Sequence, residues 1–133
     1  GDQSIAAMAN SVFTSLQIQN IELINEPFES YIENSIPSID RIDLLFLDGN
    51  HRKDALLSYY HALKNKFHAN SIIIVDDIYW SAEMKSAWEE IIRANEVTQS
   101  VDCFQFGLLF FTPQFLVKEN HRIRLPLRAF IRN

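Results

Sequence analysis

The chain has 133 residues, 47% of them hydrophobic and 22% charged, a balance that fits one globular domain with a real core and excludes a disordered segment. The net charge is −5, yet residues 117 to 133 carry Lys118, Arg122, Arg124, Arg128 and Arg132 against Glu119 alone, which leaves the first 116 residues at −9 and makes nucleic acid an unsuitable partner for the main body. No run of about 18 apolar residues and no basic-then-apolar start is present, so neither a membrane span nor a secretory signal is expected.

The chain opens on a helical pattern, with Ile5, Met8, Val12 and Leu16 spaced by three and four along one face. After Asn20, the segment Ile21 to Ile24 (IELI) predicts a short strand, and Pro27 introduces a short helix around Phe28 to Glu33. Two continuous apolar runs follow, Leu44 to Leu47 within DLLFLDG and Ile72 to Val75 within SIIIVDD. Runs without alternation predict strands buried on both faces, as in a parallel sheet covered by helices. Between them Leu56, Tyr60, Leu63 and Phe67 form a helical stripe, so strand, helix and strand make a unit suited to a right-handed crossover. Ser81 predicts an N-cap for a second amphipathic helix carrying Met84, Trp88, Ile91 and Ile92. Residues 97 to 112 read as two strands meeting near Gln105, too close for a helical crossover and therefore antiparallel. The fold class is α/β. Residues 1–133 show no linker or repeat that would divide them, and the basic tail 117–133 reads as a terminal strand, a subunit contact in a homo-oligomer or an arm for an acidic partner.

Acid closes both buried strands: Asp48 follows LLFL, and Asp76 with Asp77 follows IIIV. In an open parallel sheet the ligand crevice lies outside the carboxyl ends of the strands, so these three groups are expected to converge on one edge. Carboxylates from two strand ends suit a hard cation such as Mg²⁺, and a single one suits orienting or deprotonating a hydroxyl. Asp48 also begins an Asp-Gly-Asn turn, a place where aspartate is common for local reasons, and Asp76 can cap the segment after it. His51, three residues beyond Asp48, is a candidate general base as well as a plain loop residue. Tyr79 and Trp80 are candidate walls of a substrate pocket, whereas Trp88 belongs to the core stripe of its helix. His61, His68 and His121 show no metal-ligand spacing, and Cys103 reads as a core residue rather than a nucleophile. As a single cysteine it cannot form an internal disulfide, which is consistent with an expected cytoplasmic location.

The segments IDLLFLDGNHRKDALLSYY, SIIIVDDIYWSAEMKSAWEEI and VDCFQFGLLFF together resemble the second half of a class I S-adenosylmethionine-dependent methyltransferase, from the opening helix to about Thr112. The resemblance implies a Rossmann-like sheet ending in an antiparallel hairpin, and methyl transfer to a small-molecule oxygen or nitrogen. It is nearest to small-molecule O-methyltransferase-like proteins. In the catechol-type branch an acid after the fourth strand and an acidic pair after the fifth bind a divalent metal, so that Asp48, Asp76 and Asp77 would take the metal positions. His51 would stand where that branch has a lysine base. Glu26 and Phe28, with Asp48, would lie on the cofactor side, and Asp76, Asp77, Tyr79 and Trp80 on the acceptor side.

The chain departs from that family in one large respect. It has only Gly1, Gly49 and Gly107, with no G-x-G, whereas close approach of the backbone to the cofactor needs a glycine-rich turn. The resemblance therefore implies a fragment that lacks the first two strands and that turn and is inactive alone. A methyltransferase-like module without catalysis, kept for interaction or assembly, is the alternative. A response-regulator receiver, suggested by IIIVDD, is excluded because the only later aspartate, Asp102, is too close to serve as the phosphoacceptor.

Overall fold

A computed structural model describes residues 2–115 and 117–123. They form two compact units, Gly1–Ser38 and Ile39–Asn133.

In the first unit, helix α1 (Gln3–Ser15) is capped by Asp2, whose carboxylate accepts from the backbone N–H of Ser4 at 2.7 Å and of Ile5 at 3.3 Å. These are two of the orphan donors that every helix start exposes. Gln17, in the left-handed region at φ 55°, ends it. The stripe of Ile5, Met8, Val12 and Leu16 is present and exposed. Helix α2 (Phe28–Asn34) follows Pro27, and a 3₁₀ turn covers Ile36–Ser38. The expected strand at Ile21 to Ile24 is absent: this stretch is irregular, with all four residues exposed. A strand exists only where a neighbour completes its hydrogen-bond ladder, and among the described residues none pairs with it.

The second unit is an open five-stranded mixed sheet. Strands β1 (Ile42–Leu47) and β2 (Phe67–Val75) are parallel, joined by helix α3 (Lys53–Leu63) and a 3₁₀ turn at Lys64–Lys66. The apolar stripe runs on beyond the helix, because Phe67 is the first residue of β2 and not part of α3. Helix α4 (Ala82–Ile91) comes next, capped by the Ser81 hydroxyl, which accepts from the Met84 N–H at 3.1 Å. Strands β3 (Gln99–Asp102) and β4 (Gly107–Phe110) form the antiparallel hairpin. Strand β5 (Glu119–Arg122), the described start of the basic tail, adds in parallel to β3. The spatial order is β1-β2-β4-β3-β5, so β4 inserts antiparallel between β2 and β3.

The core sits on one face of this sheet. Ile73, Val75 and Leu109 are fully buried there with Leu56 and Tyr60 of α3 and Met84, Ala87, Trp88 and Ile91 of α4. On the alternate positions Leu44 and Phe46 remain 63% and 55% exposed, since successive strand residues point to opposite faces. No helix of the described residues is long and apolar enough to cross a membrane.

Candidate active site

The parallel register of β1 and β2 fixes where the acids emerge. Leu47 pairs with Val75, Val75 with Gly107, and Gly107 with Asp102, so one row of residues marks a common edge of the sheet. Asp48 and the Asp76–Asp77 pair lie just beyond that row, and the Asp76 N–H donates to the Leu47 carbonyl at 2.9 Å. Left-handed backbone conformations gather at the same edge. Asn50 (φ 48°), Asp77 (φ 51°) and Phe104 (φ 73°) all occupy the left-handed region, which asparagine and aspartate tolerate and a bulky residue such as phenylalanine adopts only under constraint.

Asn50 turns the chain back after Asp48 and delivers His51. The imidazole Nδ1 lies 3.4 Å from Asp77 Oδ2, and Nε2 lies 4.0 Å from Asp48 Oδ1. The Trp80 ring, 69% exposed, leans against it with 5.3 Å between ring centroids. Asp48, His51, Asp77 and Trp80 thus form one constellation drawn from two loops. Asp76 is adjacent but differently engaged, its Oδ1 accepting the Asp77 N–H at 3.0 Å. Tyr79 turns elsewhere, donating its hydroxyl to Asp102 Oδ2 at 2.6 Å. Glu26, half-buried, and Phe28, exposed at the start of α2, belong to the first unit.

Asp102 was not singled out by its sequence context. Its signal is nonetheless there in the alternation of β3: Ser100 and Asp102 are the buried positions of QSVD, and a carboxylate at an inward strand position must be compensated. The compensation comes from Tyr79, from the Phe104 N–H at 3.0 Å and from Arg122 Nε at 2.7 Å. Burial pushes the Asp102 carboxyl up, but these hydrogen bonds and the guanidinium charge outweigh it and hold the group below the usual carboxylate range. Burial, with the hydrogen bond to Asp102, pushes the Tyr79 phenol up. Cys103 is half-buried just past β3, and its thiol is likewise pushed up by burial, the opposite of an activated nucleophile. Trp88 is buried in the core.

A cavity of about 230 Å³ lies on the far side of Asp102, lined among others by Trp88, Ile92, Ser100 and Asn120. None of Asp48, His51, Asp76, Asp77 or Trp80 lines it. Among the described residues no group of three or more His, Cys, Asp or Glu is arranged to hold a metal ion. Asp76 Oδ1 is engaged by the Asp77 N–H, while Asp48 and Asp77 flank His51.

An open five-stranded α/β sheet with helices packed on it and acids just beyond its parallel strands is consistent with a Rossmann-like fold. Residues 2–78, more than half of the chain, match the family model described as a methyltransferase domain, and the chain belongs to that family. The match supports a class I S-adenosylmethionine-dependent methyltransferase-like domain. Comparisons with curated proteins and with solved structures gave no match.

Proposed function

We propose that the chain is the acceptor-side part of a methyltransferase that moves the methyl group of S-adenosylmethionine to a small-molecule oxygen or, second, nitrogen. The observation that carries this reading is His51 set between Asp48 and Asp77 at the carboxyl edge of a parallel strand pair. The donor group supplies an electrophilic methyl on a sulfonium, so transfer leaves a neutral thioether. A cation is suited by an edge bearing Asp48, Asp76 and Asp77, and Asp48 is half-exposed, with oxygens open to hydroxyl or amine donors.

His51 in this reading takes the acceptor's hydroxyl proton as the oxygen attacks the methyl carbon in line with the breaking C–S bond. Asp77 beside Nδ1 holds the ring and steadies the imidazolium that forms, and Trp80 walls the acceptor. Glu26 and Phe28 remain cofactor-side residues by resemblance, and the glycine-rich cofactor turn is not within these 133 residues. The second reading is a methyltransferase-derived module without catalysis.

Intact mass and N-terminal sequence of the protein as its source cell makes it, followed by a radiolabelled methyl-transfer assay on that species, test the proposal. Transfer that is lost in Asp48→Ala supports it. A native species without a glycine-rich turn and without cofactor binding leaves the interaction module as the better account.

A further inference from the structure

We propose that Asp102 is a positioning residue for the acidic edge, acting through Tyr79 to hold Asp77 and Trp80 against His51. Asp102 ends β3 in the register row that also contains Val75, the residue before the acidic turn. The residue is 5% exposed, and its carboxylate accepts from three separate segments: the turn after β2 through Tyr79, the hairpin turn through Phe104, and β5 through Arg122. Arg122 Nη2 donates in turn to the Tyr79 oxygen at 2.8 Å. The phenol therefore has both its acceptor and its donor assigned, and the three side chains close a ring. Tyr79 is further fixed by stacking on Phe104, with 5.8 Å between ring centroids.

Residues 76 to 80 are thus fastened at their middle. The Ile78 N–H donates to the Gln105 carbonyl at 3.2 Å, the Tyr79 hydroxyl bonds Asp102, and the Trp80 N–H closes back on the Asp77 carbonyl at 2.9 Å. Fixing positions 78 and 79 to the hairpin leaves their neighbours Asp77 and Trp80 facing His51. Asp77 itself lies in the left-handed region at φ 51°, which aspartate tolerates better than most residues. Without the Tyr79 hydroxyl, Asp102 keeps the Arg122 and Phe104 donors but loses its hydrogen bond to the turn after β2.

The test compares the 133-residue chain with its Tyr79→Phe and Asp102→Asn variants by NMR. The wild type is expected to show nuclear Overhauser contacts between the Trp80 indole and the His51 imidazole, and both variants to lose them. Amide shifts should move for residues 76 to 80 while those of α3 and the buried half of α4 stay in place. Tyr79→Phe keeps the ring that stacks on Phe104, so it decides the matter alone if Asp102→Asn does not fold. Persistence of the contacts and of the 76–80 shifts in Tyr79→Phe, even with a lower melting temperature, overturns the proposal, as does their absence in the wild type. The role given to this edge rests on the methyltransferase reading, which an S-adenosylhomocysteine titration of the protein as its source cell makes it probes separately. No shift on titration counts against that reading and leaves the result on Asp102 standing.

Discussion

A carboxylate held below its ordinary pKa stabilises the fold in its ionised form, and Asp102 is such a group. Its contribution is fully present above the unfolded aspartate value of about 3.9 and is lost as pH falls through the lower folded value. Melting temperature followed from about pH 7 to about pH 2 should therefore drop steeply on the acid side in the wild type. Asp102→Asn should start lower at neutral pH and show a shallower acid limb, so that the two curves converge; parallel curves would place the acid sensitivity elsewhere. His51 is the residue on which the proposed chemistry turns. Losing a positioned general base lowers the rate by about 10²–10⁴-fold, the loss expected for His51→Ala in the methyl-transfer assay of the native protein. Asp77→Asn, which keeps an oxygen or an amide near Nδ1 without the charge, should fall between that variant and the wild type.

At the scale of elements, the close approach of β4 to α4 sets a sharp limit. A Cβ built on Gly107 would lie 2.6 Å from Cζ3 and 2.7 Å from Cζ2 of the Trp88 indole, which is itself buried in the core. Gly107→Ala should lower stability by about 1–3 kcal/mol, the range for overpacking a core, read by urea unfolding. A neutral outcome would mean that the indole can shift. Much of this architecture was legible in the sequence. The apolar runs of β1 and β2 and the stripes of α3 and α4 are readable as elements from residue type, but the runs predict burial on both faces, and Leu44, Phe46 and Ile72 are exposed on the face that α3 and α4 do not cover. Strand polarity predicts that Asp48, Asp76 and Asp77 leave the sheet at one edge, whereas the approach of His51 to Asp77 depends on the left-handed turn at Asn50, which polarity does not reveal. Less legible was whatever depends on a partner. The residues IELI have strand propensity but no described neighbour to pair with, whereas β5 (ENHR) has no apolar residue and is a strand only because β3 offers its edge. The direction of Tyr79, toward Asp102 instead of an acceptor, depends on a contact 23 residues away and leaves no local trace.

For the whole molecule the unequal faces of the sheet have a consequence. The order β1-β2-β4-β3-β5 puts β1 at one edge, and among the described residues it pairs with β2 alone. Its remaining backbone donors and acceptors form an open ladder. Beside that ladder Leu44 and Phe46 expose their side chains on the face opposite α3 and α4. An apolar strand with an unpaired edge is a template for association. In the sheet that the methyltransferase resemblance implies, the first two strands would lie beside this edge and cover it. The 133-residue chain by itself should therefore show concentration-dependent association in sedimentation velocity at micromolar to millimolar concentrations. Phe46→Lys, which places a charge on the exposed face of the edge strand while leaving the α3 and α4 side untouched, should shift it toward monomer without lowering its helix content. A monodisperse wild-type monomer across that range would mean that the edge is protected within the chain, and would count against strands missing beside β1.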